Sequence, residues 1–353
     1  MKIILLSNMY PSKKDALFGV FVKKTVLQLE SLGVQFSKKV VIKGKSNSKV
    51  KKVFSYLIYY FKAICSSFSS KDNIIYIHFL THNIPLVYWY FWFTNSKIVL
   101  NLHGSDINKV AKGSFIDRIQ KKALKKVNLL IVPSGYFKSI VQKRYSIDDL
   151  NFYIYPSGGV NTSLFKPNVN KKQGNYTLAF VSRIDKGKGW ETFIQAFNKL
   201  NESGLDVSAL IAGDGYEREN LMKVIQISKY SNKVDYKGFQ EVEGLVKIYQ
   251  EADVFIFPTR LPESLGLVGL EAMSSGSVVF ARNIGGPSSY IQNGINGFLF
   301  DINNDENLTE KLIEYFNLPV SEKNLLQKNA RNTALEYSSE KVSKQLFTKL
   351  KQL

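Results

Sequence analysis

The stretch Val254-Phe255-Ile256-Phe257-Pro258-Thr259-Arg260-Leu261-Pro262-Glu263-Ser264-Leu265-Gly266-Leu267-Val268-Gly269-Leu270-Glu271-Ala272-Met273-Ser274-Ser275 decides how the chain is read. Its first four residues are β-branched or aromatic and stop at a proline, the pattern of a short buried strand. From Leu265 to Ser275 the apolar spacing becomes helical. The segment therefore predicts a strand, a loop and a helix whose first free N–H groups lie near Ser264 to Leu267. Such a helix start attracts phosphate. Repeated units of this kind build doubly wound α/β domains, which bind ligands at the C-terminal ends of their strands.

Two acids, Glu263 and Glu271, flank that helix start. Carboxylates repel phosphate but accept hydrogen bonds from hydroxyls, so the ligand implied carries both groups. A nucleotide sugar fits. On this reading Glu263 takes hydroxyls of the sugar, the amides near Gly266 and Leu267 take the diphosphate, and Glu271 takes the ribose, with Ser264 and Leu265 completing the loop. A surface acid followed by a helix glutamate would give the same spacing, so the rest of the chain has to decide.

At 353 residues, two domains are expected, 1–166 and 167–337, with a terminal segment over 338–353. The 44% hydrophobic and 13% aromatic content is that of a folded protein. No apolar run approaches the roughly 18 residues that span a bilayer; Ile84 to Phe93 is short, and Met1 to Leu6 is too brief for a signal-peptide core. One cysteine, Cys65, excludes an internal disulfide and a cysteine-rich zinc site. A cytoplasmic protein is the expectation. The net charge of +19 is confined to residues 1–166, which hold 26 Lys and Arg against 7 Asp and Glu, whereas the remainder holds 22 of each. Such asymmetry points to an anionic partner for the first half, nucleic acid or an acidic membrane surface, unless it only solvates the protein.

The alternation along the chain supports two α/β domains. In the first half it runs from strand Ile3 to Leu6 through a loop with Gly19 and a helix from Val20 to Leu32, to strands at Ile74 to Ile77 and Lys97 to Leu102. A polar, turn-forming linker is expected over Lys166 to Asn175. A second series then begins at Thr177 to Val181 and continues with strands at Val207 to Ala212, Val234 to Tyr236, Val254 to Phe257 and Ser277 to Ala281.

The remaining motifs sit at strand ends. Arg183 and Lys188 follow Thr177 to Val181 and can neutralise a departing diphosphate, the guanidinium as a fork and the ammonium as a point charge. Gly213 and Asp214 follow the next strand as a candidate floor for the nucleotide, and Gly238 ends the one after it. Gly19 offers close backbone approach, but no G-x-G-x-x-G or Walker lysine accompanies it. His103 follows a strand in the first half and is either structural or catalytic. His78 and His82 have metal-ligand spacing without a nearby third ligand, and are read as structural or acceptor-facing. Lys51, Lys52 and Tyr59 belong to a basic, aromatic, helical stretch suited to a headgroup interface or to core packing.

Taken together, Pro262-Glu263-Ser264-Leu265-Gly266-Leu267 through Glu271, Ser182-Arg183 with Lys188-Gly189, and Gly213-Asp214-Gly215 resemble the motifs of retaining glycosyltransferases of family 4. The resemblance implies a GT-B fold, two Rossmann-like doubly wound domains facing a central cleft, with the terminal helix 338–353 packing back on the first domain. It implies that Glu263 contacts the donor sugar, Glu271 the ribose, Arg183 and Lys188 the diphosphate, and His103 the sugar. It also implies a metal-independent reaction without cofactor, and the chain has no Asp-x-Asp pair. Leu265 and Asn161 depart from the family, where an aromatic and an Asp are frequent. The expectation is a hexosyltransferase that uses a UDP- or GDP-linked sugar and a lipid-linked glycan acceptor, peripheral on an anionic membrane surface, with Lys51, Lys52, Tyr59 and His82 on the acceptor or membrane face. A sugar-nucleotide epimerase of the same fold and a basic nucleic-acid-binding protein are the alternatives; no recognition helix, zinc module or RNA-binding signature favours nucleic acid.

Overall fold

The structure, a computed structural model, describes residues 1–46, 48–68, 74–148, 150–168 and 176–353. Most of the linker expected over Lys166 to Asn175 lies outside them. The chain forms two compact units, Met1–Gly159 with Ser339–Leu353, and Val160–Ser338. The division falls ahead of the composition change at Lys166 because the intervening residues are bound to the second unit. Val160 N–H donates to Tyr337 O at 2.9 Å, and Phe165 is buried in the second unit's core.

In the first unit the elements are β1 (Lys2–Tyr10), α1 (Val20–Ser31), β2 (Gln35–Lys43), α2 (Lys49–Ser67), β3 (Ile74–His78), α3 (Ile84–Phe93), β4 (Lys97–Asn101), α4 (Ser105–Asn108), α5 (Phe115–Leu124), β5 (Leu129–Val132), α6 (Gly135–Tyr145) and β6 (Phe152–Ile154). The second unit contains β7 (Tyr176–Val181), α7 (Trp190–Glu202), β8 (Val207–Ala212), α8 (Arg218–Ile227), β9 (Val234–Gly238), α9 (Val242–Glu251), β10 (Val254–Phe257), α10 (Leu267–Ser274), β11 (Val278–Arg282), β12 (Gly297–Phe300), α11 (Glu306–Asn317) and α12 (Val320–Glu336). The last helix, α13 (Ser339–Lys351), returns to the first unit, where Val342, Leu346 and Leu350 join Ile3, Tyr76 and Val99 in one core cluster.

Each unit has a six-stranded parallel sheet, in the orders β2-β1-β3-β4-β5-β6 and β12-β11-β10-β7-β8-β9. Crossover helices cover both faces, so central strands are apolar throughout. In β10, Val254 and Ile256 enter one core cluster and Phe255 and Phe257 the opposite one, as the two-residue period of a strand requires. Each fully buried side chain of this kind contributes about 1.5–3 kcal/mol. Strands β2, β5, β6 and β12 were not expected from the sequence. β2 is an edge strand whose lysines break the apolar pattern, and β6 is three residues long.

The strand orders fix where ligands can enter. In the second sheet β7 is followed on one side by β8 and β9, while the chain then crosses to β10 on the other side. The strand order therefore diverges between β7 and β10, the position at which open α/β sheets take ligands at the strand C-termini. The first sheet has the corresponding divergence between β1 and β3.

Candidate active site

The loops leaving β7 and β10 bring two of the sequence candidates into direct contact. Lys188 Nζ donates to Glu263 Oε1 at 2.5 Å, with 12% and 29% of the two side chains exposed. The backbone of the two loops interlocks beside this pair, Arg260 N–H donating to Gly187 O at 2.8 Å. Gly189 makes the approach possible. Its φ is +82°, and a Cβ there would stand 2.2 Å from Pro258 O.

Two helices start at this point, α7 behind Gly189 and α10 behind Gly266. Both glycines are left-handed N-caps, and neither can cap the first turn with a side chain. Their opening amides therefore remain suited to an anionic ligand. Gly266, like Gly189, is required by geometry, since its φ is +82° and a Cβ would meet the Phe257 ring at 2.6 Å.

Residues further along hold the Glu263 loop in place. Gly286 N–H donates to Glu263 O at 2.7 Å, and a Cβ on Gly285 would lie 2.7 Å from Glu263 N. Buried Tyr290 donates its hydroxyl to Gly266 O at 3.0 Å. Half-buried Glu271 accepts from Tyr249 Oη at 3.4 Å; burial first, and then the Glu271 carboxylate, push that phenol well above its ordinary pKa, so it remains a donor. Neither Tyr249 nor Tyr290 stands out in the sequence, because their spacing does not distinguish them from core aromatics.

The other second-unit candidates occupy the same strand ends in different ways. Ser264 is half-buried, Leu265 is buried at 2% exposure, and Leu267 opens α10. Gly213 has a φ of +137°, and a Cβ would lie 1.7 Å from Ser182 O, so the turn after β8 sits against the turn after β7. Its N–H donates to Gly238 O at 2.8 Å, tying in the end of β9. Gly238 has φ +63° but nothing within 4 Å of an added Cβ, so only its backbone angle favours glycine. Exposed Asp214 caps its own turn through Gly215 N–H at 2.9 Å. Arg183 is 71% exposed and pairs with Asp185 at 2.7 Å, so the structure places Lys188, and not Arg183, against Glu263.

In the first unit Gly19 caps α1 with φ +73°, and a Cβ would stand 2.6 Å from Met9 O, which draws α1 onto the end of β1. His103 follows β4, one strand beyond β3 in the same sheet, with its ring 4.6 Å from those of Phe21 and Phe79. Its Nε2 is 2.9 Å from Nδ1 of the fully buried His78. His78 Nε2 is buried without a hydrogen-bond partner among the described residues. An unmade acceptor costs less than an unmade N–H, so the favoured tautomer has His78 donating from Nδ1 and His103 accepting at Nε2. His103 then carries its proton on Nδ1 as a donor.

Burial holds His103 down to about 3 and His78 well below its ordinary value, with the facing ring adding to the effect on His78. Asp106, which accepts from His103 N–H at 3.2 Å, is pushed up to about 6 by burial against the pull of its backbone donors. Both neutral histidines contribute stability that is complete above pH 6.5 and is lost at lower pH, for His103 as pH falls toward about 3. Asp106 acts in the opposite sense, its contribution being lost as pH rises through about 6. Both imidazoles are expected to stay neutral at pH 6 in a side-chain NMR titration, and a protonation step near 6.5 for either would contradict this packing.

The proposed acceptor face needs one correction. Lys51 and Lys52 are exposed on α2 and His82 is exposed beside it, stacked on Tyr56 at 5.2 Å. Tyr59, however, is 2% exposed and donates to Asn83 Oδ1 at 2.6 Å. It lies on the face of α2 that packs inward with Ala63 and Ser66, so it is a core residue.

Known proteins share this architecture. Residues 162–333 match the model of a family described as "Glycosyl transferases group 1". A glycosyltransferase structure from Rickettsia africae superposes with a TM-score of 0.78 at 20% identity, covering 99% of this chain and 98% of that one. The fold is GT-B. Anabaena HepE, solved in complex with UDP-glucose, has the same GT-B architecture, with a TM-score of 0.74 at 17% identity and complete coverage of both chains. In sequence, a lipopolysaccharide 1,2-N-acetylglucosaminetransferase of Salmonella typhimurium is 25% identical over 219 residues, 58% of this chain and 53% of that protein. A sucrose synthase of Melioribacter roseus is 30% identical over 186 residues, 48% of this chain and 23% of that protein. The matches thus span about half or less of these curated relatives.

Proposed function

We propose that the protein is a retaining, metal-independent glycosyltransferase that moves a hexose-type sugar from a UDP- or GDP-linked donor to a lipid-linked glycan in bacterial surface polysaccharide synthesis. The observation that carries this reading is the Lys188–Glu263 pair at the β7/β10 divergence, between two helix starts without side-chain caps. Support comes from the group 1 match over residues 162–333, from the UDP-glucose bound by Anabaena HepE, and from the lipopolysaccharide substrate in the name of the Salmonella relative.

In this mechanism the donor diphosphate lies against the opening amides of α7 and α10 with Lys188, and Arg183 swings from Asp185 to join them. These groups stabilise the charge that grows on the phosphate as the bond from the anomeric carbon to the phosphate oxygen breaks. Glu263 accepts from the sugar hydroxyls and Glu271 from the ribose. The turns at Gly213, Asp214 and Gly238 line the nucleotide. The acceptor hydroxyl bonds to the anomeric carbon on the face the phosphate leaves, and its proton passes to that phosphate. No protein base is then required.

A ligand-observed NMR panel of UDP- and GDP-sugars tests donor binding before the acceptor is known. One donor is expected to bind, and Glu271→Ala to weaken it by about 10-fold or more, the loss of one charge-assisted hydrogen-bond pair. Unchanged affinity in that variant would remove Glu271 from the site.

A further inference from the structure

Helix α2 carries a row of large apolar side chains on its outer face. Phe54, Leu57, Phe61 and Phe68 are 61%, 59%, 70% and 80% exposed, and with Val50 and Val53 they form a stripe at helical spacing along the solvent face. The inward face is supplied by other residues, Tyr59, Ala63 and Ser66 being buried and Tyr56, Tyr60 and Ile64 packing against the core beside them. The exposed stripe is therefore surplus to folding and is large for a monomer surface. The end of α3 extends it. Trp89 Nε1 donates to Ser67 Oγ at 3.1 Å, which sets the exposed Trp92 and Phe93 beside the last turn of α2.

The surrounding charge identifies the occupant. Helix α2 carries Lys49, Lys51, Lys52 and Lys62 and no acid. Lys49 and Lys52 border a concavity of about 390 Å³ that is otherwise lined by Val53, Tyr56, Leu57 and Tyr60. The unit that bears this face holds 29 Lys and Arg against 8 Asp and Glu, whereas the other holds 19 against 21. An aqueous protein partner would need acids facing the lysines and a matching apolar ridge. An anionic lipid surface supplies phosphate at the depth of the lysines and hydrocarbon at the depth of the phenylalanines.

We infer that α2 and the end of α3 form an interfacial docking surface for anionic lipid, with the axis of α2 in the membrane plane. This rests on the proposed function only for its purpose, bringing the enzyme to a lipid-linked acceptor; its chemistry stands on the exposed stripe and the lysines.

The test is co-sedimentation of the full chain with vesicles of phosphatidylglycerol or of phosphatidylcholine, at low and high salt. Binding is expected to phosphatidylglycerol vesicles, at least 10-fold weaker to phosphatidylcholine, and to fall at least 10-fold in Leu57→Glu/Phe61→Glu. Since the substituted positions are solvent-exposed, the variant is expected to keep the wild-type melting temperature and donor affinity. Wild-type-like vesicle binding by the variant, or no binding to anionic vesicles at low salt, overturns the inference. So does concentration-dependent dimerisation in sedimentation velocity that the substitutions abolish, which would make a second copy the occupant. Loss of donor binding in the wild type would instead refute the proposed function and leave the lipid surface standing.

Discussion

Lys188→Ala is expected to lower sugar-transfer turnover by about 10²- to 10³-fold, the size of effect seen when a preorganised charge stabiliser is removed from a reacting site. Lys188 donates to Glu263 at 2.5 Å and has little exposed surface, so its ammonium is already placed before any ligand arrives. On the proposed mechanism, deletion removes both the charge that meets the leaving phosphate and the restraint on the glutamate. The cost in stability is small by comparison, about 1 kcal/mol, because Glu263 keeps access to water. Lys188→Arg does not restore activity, since the planar fork does not fit where a single point charge meets one carboxylate oxygen. Turnover within a factor of three of wild type for Lys188→Ala, measured by release of the nucleoside diphosphate, would show that the lysine only holds the loop.

Gly213→Ala is expected to produce the largest loss of stability among single glycine substitutions at the candidate site. The new Cβ would lie 1.7 Å from Ser182 O at a φ of +137°, so the turn after β8 must move off the turn after β7. Such a clash combined with a disfavoured backbone angle costs about 3 kcal/mol or more. For a unit of this size that lowers the melting temperature by roughly 6–12 °C. Gly238→Ala is the control, because its Cβ meets nothing within 4 Å and only the φ of +63° opposes it, at about 1 kcal/mol. Equal shifts for the two variants by differential scanning calorimetry would contradict the packing of these turns.

These two predictions draw on different levels of what the sequence reveals. The strand, loop and helix around Glu263 were legible because a four-residue apolar run ending at Pro258 and a helical apolar period have few other solutions. Most central strands of both sheets were legible for the same reason, although β5, four apolar residues long, was missed. Of the edge strands only β9 was read: in β2 the pattern is broken by lysines, and nothing in it says that a neighbour will pair with it. Among site residues, charge and glycine could be read and partnership could not. Lys188 and Glu263 are 75 positions apart, and only the strand order β10-β7 makes them neighbours. Arg183 looked equivalent to Lys188 by sequence yet turns to Asp185. Tyr59 looked like part of an exposed aromatic face, but the period of α2 carries it inward, while Phe54, Leu57 and Phe61 face out. A helix wheel shows which side chains lie together, and not which side the sheet takes. Buried supports such as His78 behind His103 and Tyr290 beneath Gly266 arise from tertiary contact alone.

Hydrogen exchange of the full chain with and without the donor sugar nucleotide that binds tests the central claim most directly. Exchange is expected to slow at residues 186–190 and 264–269, where the helix starts behind Gly189 and Gly266 receive the diphosphate, and the effect is expected to disappear in Lys188→Ala. Protection confined to other strand ends, with these amides unchanged, would show that the nucleotide sugar does not bind at the divergence of β7 and β10.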